Sequence, residues 1–530
     1  MNNSPENIFL EYEAARRFKA SIGRHGLYEQ NRINERFFIG DQWHGAAVGN
    51  ERPLVRHNVV KRIGDYKLAE LIASTVSVKY SAEGFNECIS TKKEIKKQRQ
   101  QLSSGVTASL SSNDEIALMV SVLNSYREVA AKRVKLSALL DGVLRDAYIR
   151  GTGAIYTYFD PEIKTGLFAG DKQILGDIVC ERIKIEDIYF GDEGVNELQN
   201  QPYIILKEEK RASQVLSMAQ SYKANKQVQE KLKAMGEEKI TLLTKLFKAK
   251  DQNGHTKVFA TKVTKDMVIR SEFSVGISLY PISLFVWEKR DGCIYGESEI
   301  TYIIPNQIAI NRMITASCWS SMSAGMPLMV VNGDLVSGEI TNDPGQIIKV
   351  YGAAEEIETA INFVKTPDYS SGYNKAVESL ILNTLTQCGA NEAALGDVEA
   401  TNTSAIIELR EASARNLLPL KNRFYTFLTD IADVWAEFFF SLYGKRGLKI
   451  EDENGVWYFP FDANKYKNIV LSVSATVSEG VSKGERDKLS NLNFLLEQGV
   501  ISAAQYIKRL PAGVLNDREE LLSEIKGELI

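Results

Sequence analysis

The stretch from Tyr373 to Gly444 constrains this chain most, because two runs with helical spacing meet across a short acidic connector. In YNKAVESLILNTLTQCGA, apolar residues recur at Ala376, Val377, Leu380, Ile381 and Leu385, which share one helical face. The connector NEAALGDVEATNTS is small, polar and acidic. Beyond it, Leu420, Phe424, Phe427, Ile431, Trp435 and Phe438 predict a second, longer helix that Thr403 or Ser404 can cap and Gly444 can end. Pro419 inside that run lacks an N–H and crowds the preceding turn, so a kink is expected there. Two helices joined at an acidic tip make an odd element for a compact fold, and the flanking segments must explain it.

Upstream, Gly296 to Gly325 reads as an apolar helix in which only Glu297, Glu299 and Arg312 carry charge. PLMVVNG and QIIKVYG, separated by the glycine-rich SGEITNDPG, read as short strands. One helix therefore leaves the body, a small β unit caps it, and a second helix returns. The region before it mixes both kinds of element. Helices are expected over 6–38, a helix and strand over Asn58–Tyr80, and one long helix from about Asp114 to Arg150. The segments AIYTYFDPE, IVCERIKIEDIYFGD and YIILKEEKR alternate and predict a small sheet packed on that helix. A charged helix over 212–235 precedes a hairpin turning at Asp251–Gly254. After Gly444, LKIEDENGVWYFP and KNIVLSVSATV read as strands, and Lys483 to Ile530 as short helices broken at Gly499 and Pro511. The fold class is α+β and helix-rich.

Charge excludes one function class. With 64 Lys plus Arg against 68 Asp plus Glu, the chain has no broad basic face for gripping nucleic acid. The basic run from Lys92 to Gln100 is a solvated helix face or loop sooner than a phosphate-binding arm. Cys88, Cys180, Cys293, Cys318 and Cys388 lie far apart, which fits reduced thiols and no disulfide framework. With no apolar leader and no run of about 18 apolar residues, an intracellular protein without a membrane span is expected.

Catalytic signatures are missing too: no GxxxxGK[ST], HExxH or GxSxG, and no GxGxxG after a strand. His25, His44, His57 and His255 are scattered, and His44 and His57 are surface or core residues sooner than a site. Asp160 with Glu162, and Asp187 with Asp192, would suit a divalent cation, yet turns and caps explain such carboxylates more simply. No catalytic residue, cofactor or metal is assigned.

The order of parts from Leu279 onward resembles the portal proteins of tailed bacteriophages. The segments that carry the likeness are LYPISLFVWEKRDGCIYGESEI entering IIPNQIAINRM, and the β insert PLMVVNGDLVSGEITNDPGQIIKVYG. LILNTLTQCGANEAALGD and NTSAIIELREASARNLLPLKNRF follow, and RFFIGDQWHG is similar to a segment near the start of such proteins. The likeness covers most of the chain and is weak over 81–112 and at the C-terminus. It implies a wing-like α+β region over 1–295, stem helices over 296–325 and 367–388, and a clip over 326–366. It further implies a tunnel loop over 389–403, a long kinked helix with wing strands over 404–482, and a helical crown over 483–530.

In function, the resemblance implies a homo-oligomeric ring, commonly of twelve subunits, at one capsid vertex of the virion, assembled in the host cytoplasm. Double-stranded DNA would pass through its channel during packaging and ejection. Its partners would be the large terminase, head-completion or adaptor proteins, and the major capsid and scaffolding proteins, and it would be no enzyme.

The residue types suit a conduit physically. DNA carries roughly one phosphate charge per 1.7 Å of axis, so a basic bore would hold it, whereas passage needs weak, sequence-blind contact. The expected loop has Glu392, Asp397 and Glu399 and no Lys or Arg, and in a closed ring these acids would repel the duplex from the wall. Asn391, Thr401 and Asn402 would supply neutral hydrogen bonds, and Lys375 and Glu378 are candidates to line the channel from the returning helix. Two other readings stay open: a different ring-forming head–tail connector, normally much shorter, and a carboxylate-dependent nuclease.

Overall fold

The computed structural model describes residues 3–44, 54–73, 76–82, 112–169, 172–326, 328–338, 340, 347–353, 360–364, 367–390, 415–452, 455–466, 471–477 and 492–509. The chain opens with α1 (Pro5–Ser21), whose Ser4 cap accepts from the Asn7 N–H, and α2 (Gly26–Ile39), which ends on left-handed Gly40. Helix α3 (Val59–Ala73) leads into β1 (Val76–Ala82).

The long helix expected up to Arg150 is two helices, α4 (Ser112–Arg133) and α5 (Leu136–Arg150), divided where Lys135 adopts φ 53°. Tertiary contacts account for the break: Arg133 at the end of α4 pairs with the buried Asp177, and α5 then turns its own apolar face inward. The charged helix over 212–235 divides likewise into α6 (Ala212–Ser221) and α7 (Lys226–Met235), with Lys223 at φ 55° and Asn225 capping α7.

The single small sheet expected after Arg150 is instead two. Strands β2 (Thr152–Ala169) and β3 (Lys172–Lys184) form a hairpin, and β9 (Ile282–Val286) adds to β2, giving the order β3-β2-β9. The other is an antiparallel meander of β4 (Ile188–Phe190), β5 (Tyr203–Arg211), β6 (Lys239–Lys250), β7 (Thr256–Thr264) and β8 (Met267–Ser274). The turn between β6 and β7 falls at Asp251–Gly254, where the Asp251 carboxylate accepts from the Asn253 and His255 N–H groups and Gly254 takes φ 81°. Short strands β10 (Glu288–Arg290) and β11 (Cys293–Glu297) pair just before α8 (Glu299–Gly325).

A tip follows, made of β12 (Leu328–Val331) paired with β15 (Ile361–Val364), and β13 (Val336–Ser337) paired with β14 (Lys349–Val350). Helix α9 (Ser370–Gln387) returns to the body, α10 (Leu418–Leu442) runs through its centre, and β16 (Lys445–Asp452) pairs with β17 (Gly455–Asp462). Strand β18 (Leu471–Val477) pairs back on β1, and α11 (Ala503–Arg509) lies near the end. The fold is a mixed α+β one. Among the described residues, no helix is long and apolar enough to cross a membrane.

Packing shows why α10 is central. Phe424, Phe427, Trp435 and Phe439 on α10 are at most 4 % exposed, and Phe285, Trp287 and Tyr148 pack in the same core. Full burial of each such ring contributes roughly 2–3 kcal/mol. A second core fills the space between the two sheets, α1 covers the opposite face of the meander, and α6 with α7 closes over one end of it.

Candidate functional site

The hairpin of α8 and α9 joins the main core along part of its length, through Ile300, Ile303, Ile310, Val377 and Leu385, and leaves it toward the tip. The helices run antiparallel and are joined by polar contacts: Ser317 Oγ to Asn374 Oδ1 at 2.7 Å, and Asn306 Nδ2 to Thr384 Oγ1 at 3.1 Å. Nearer the tip, Ser320 Oγ accepts from the Tyr369 N–H at 2.8 Å. These contacts join small and polar side chains of the two helices.

The root of the hairpin is fixed to the body by a dense set of bonds. Ser298 caps α8 by accepting from the Ile300 N–H at 3.1 Å and itself donates to the Tyr148 carbonyl. Gln307, fully buried, accepts from the Val59 N–H at 2.9 Å and donates to the His57 carbonyl at 2.6 Å. Asn311 accepts from the His57 N–H at 3.1 Å, and Lys67 pairs with Glu299 at 2.6 Å. The other end is different. Met326 is 74 % exposed, Ile347 88 %, Phe363 56 % and Tyr369 64 %, with Trp319 and Tyr351 also open to solvent. A concentration of this kind exceeds the scattered apolar exposure of ordinary surfaces.

Lys375 and Glu378 are exposed on α9, one turn apart. Asn391, Glu392, Asp397, Glu399, Thr401 and Asn402 lie outside the described residues. Pro419 stands in the first turn of α10, after turn residues 416 and 417, and not within one continuous helix. Its missing N–H falls there among donors that have no intrahelical acceptor in any case, so the ring fits without breaking a helix bond. The expected helix before Arg415 also lies outside the described residues.

One cavity flanks the root and a second lies beside α10. The first, of about 340 Å³, is lined by Lys67, Glu299, Asn306, Gln387, Cys388 and Arg423, close to where the chain leaves α9 and enters α10. Burial, reinforced by the Glu299 charge, pushes the Cys388 thiol up to about 12, so it is protonated at neutral pH and a poor nucleophile. The other, of about 320 Å³, is lined by Glu197, Lys289, Arg423, Asp430 and Asp433 among others. Burial first, and then the neighbouring acid, pushes the carboxyls of Asp430 and Asp433 up to about 6.

Among the described residues no group of three His, Cys, Asp or Glu is placed to hold a metal ion. One carboxylate of each pair singled out in the sequence serves a turn: Asp160 accepts from the Glu162 N–H at 2.9 Å, and Asp192 from the Gly194 N–H at 3.0 Å. His57 contributes its backbone to the root, and His44 lies 3.4 Å from Asp41. Cys180, Cys293, Cys318 and Cys388 are unbridged. Sequence reasoning missed Gln307, Asn311 and the Lys67–Glu299 pair. A signal existed for Gln307, one of three amides, with Asn306 and Asn311, among the isoleucines of IIPNQIAINRM.

No family model matches this chain, and no curated protein matches it. The solved structures to which it is similar include a chain in the neck of an empty gene transfer agent (GTA) particle computed with C6 symmetry. That chain is 9 % identical at a TM-score of 0.36, with 93 % of each chain covered. A second is in the virion of a native GTA particle, 9 % identical, TM-score 0.33, covering 96 % of this chain and 98 % of that one. A third is in the neck of a native GTA particle computed with C12 symmetry, 10 % identical, TM-score 0.32, covering 90 % and 98 %. Likeness at these TM-scores does not establish a shared fold.

Proposed function

We propose that this chain is a portal-type head–tail connector of a phage-like particle, which assembles as a ring of identical copies around a channel for double-stranded DNA. The observation that carries the reading is the hairpin of α8 and α9 with its β tip, whose root is fixed to the body and whose apolar tip is left uncovered. A second copy in a closed ring would cover such a surface at every subunit without leaving an open end. The helices, joined by polar contacts, suit a channel spoke, and the net charge of −4 suits a conduit that does not grip the duplex.

On this reading the acids of the 391–402 connector face the bore, Lys375 and Glu378 line it from α9, and the part of the tip that neighbouring copies leave open presents a docking surface to the packaging motor and then to head-completion proteins. The chemistry is that of positioning, with no bond made or broken by this chain. Negative-stain images and native mass spectrometry of the purified protein test the reading: rings with a central hole are expected. A stable monomer with metal-dependent nuclease activity would overturn it in favour of the carboxylate enzyme. Deleting 391–400 is expected to leave ring assembly intact while impairing DNA packaging or retention.

A further inference from the structure

Away from the hairpin, the meander carries a polar row that packing does not account for. Thr244 on β6 lies opposite Lys262 on β7, and Lys262 lies opposite Arg270 on β8, so the three share one face of adjacent strands. Like charges directly opposite in a sheet repel, and sheets avoid the arrangement unless something offsets it. The pairing of β7 with β8 is irregular on both sides of this point, between Ala260 and Lys262 and again between Lys262 and Val263.

The first irregularity puts Phe273, opposite Ala260, on the same face as Arg270. The Arg270 guanidinium lies 3.3 Å from the centre of the Phe273 ring and 4.5 Å from that of Tyr222. Bulges of this kind re-aim side chains and recur beside functional sites.

The row falls between two cores. On one side Leu246, Val258 and Ala260 face the other sheet, and on the other Leu242 and Ile269 are covered by α6 and α7. Lys262 and Arg270 are partly buried, and among the described residues neither makes an ion pair or hydrogen bond by its side chain. Of the nearby carboxylates, Glu208 pairs with Lys210 at 2.5 Å and Glu181 accepts from the Tyr158 hydroxyl at 2.7 Å, so two acids stand near the three cations Lys262, Arg270 and Lys210. Thr244 is 3 % exposed, and its hydroxyl has no partner among the described residues. Burial also lowers the pKa of the Lys262 ammonium, against the opposing pull of Glu208. The row holds more positive charge than its surroundings offset.

We propose that Lys262 and Arg270, on the strand positions beside Thr244, form an anion site that takes a phosphate group. A guanidinium held against two rings has fewer orientations to lose on binding the oxygens of a phosphate, and Lys262 supplies the second charge. The phosphate is either a free one or a nucleic-acid backbone, and the two are separable. The site stands on the sheet's geometry and does not depend on ring assembly.

The full-length protein would be titrated calorimetrically with inorganic phosphate, and by fluorescence anisotropy with a labelled DNA duplex. Lys262→Met, Arg270→Gln and Arg270→Lys would be run alongside. Wild-type binding in at least one titration is expected, weakened about tenfold or more by Lys262→Met and Arg270→Gln, with Arg270→Lys retaining part of it. In the duplex titration the salt slope should also fall by about 0.9 for each cation removed. Binding of phosphate but not duplex assigns a free phosphate, and duplex binding lost in the variants assigns the backbone. No binding in either titration, or binding that the variants leave unchanged, overturns the proposal. Arg270→Gln sacrifices stacking on two rings and can unfold the sheet edge; Lys262→Met keeps its aliphatic stem and then decides the matter.

Discussion

The body and the hairpin tip treat uncomfortable groups in opposite ways. In the body, the most deeply buried charges receive direct partners. Lys19, fully buried, donates to the Ile185 and Glu186 carbonyls at 2.7 and 3.0 Å and lies 3.8 Å from the centre of the Tyr189 ring. Lys245, equally buried, is held by Glu11 at 2.6 and 2.9 Å, and Arg150 meets Asp146, Glu186 and Glu35. Each arrangement offsets a desolvation cost of several kcal/mol within a single chain. At the tip the uncomfortable groups are apolar, and nothing described on this chain covers them. A region that completes its own bonding can fold alone, whereas one that leaves its apolar side chains in water is half of an interface.

Breaking that comparison at the tip should have the largest effect. Ile347→Asp combined with Phe363→Asp places charge on two of the most exposed apolar positions. Analytical ultracentrifugation should show oligomers lost, with subunit affinity down about 100-fold or more, while the melting of the isolated chain moves by no more than about 2 °C. A collapse of monomer stability would instead make the tip part of the body's own cooperative unit.

At the root the same logic predicts the reverse, a loss of stability. Gln307→Ala removes the side-chain acceptor of the Val59 and Val60 N–H groups and the donor to the His57 carbonyl in a buried place, so denaturant unfolding should show a loss of about 3 kcal/mol. A loss below about 1 kcal/mol would place the root outside the body.

The cleft beside α10 should respond to pH more modestly. The carboxyls of Asp430 and Asp433 are pushed up to about 6 in the folded chain from an ordinary 3.8. Between about pH 4 and 6 the folded state therefore holds more protons than the unfolded one, and stability falls as pH rises through that window. Asp433→Asn should flatten this fall and raise stability at pH 7 by less than about 1 kcal/mol, because the Asp430 side chain reaches solvent and is screened there. Thermal melts across that range read it. Smallest of all, Pro419→Ala should alter stability by no more than about 0.5 kcal/mol and leave the start of α10 in place, as nuclear magnetic resonance shifts would report.

Periodicity made the helices and strands legible, since a repeating apolar face reports burial directly. The two helix breaks at Lys135 and Lys223 were not legible. Lysine carries no preference for left-handed backbone; the Arg133–Asp177 pair lies beside the first turn, and local bonds such as Ala224 N–H to the Ala219 carbonyl close the second. Two sheets looked like one for a related reason: alternation says that a strand has two faces and not which partner it finds. β15, in INFV, escaped notice because three of its four residues are exposed and its pairing with β12 supplies the order. Of the site, the hairpin and its tip were readable as shape from the order of apolar runs. The root was not, because Gln307, Asn311 and Lys67 gain meaning only from segments far away in sequence.

The root has a mechanical consequence. Ser298, Glu299, Gln307 and Asn311 attach α8 to the Tyr148 carbonyl, to Lys67 and to the 57–59 segment. A tug on the tip would thus load several bonds side by side, and bonds that share a load give way together or not at all. The paired strands of the tip can open one rung after another under the same force. The hairpin is a lever with a stiff fulcrum and a yielding end, able to flex against whatever it touches while its seat in the body stays put.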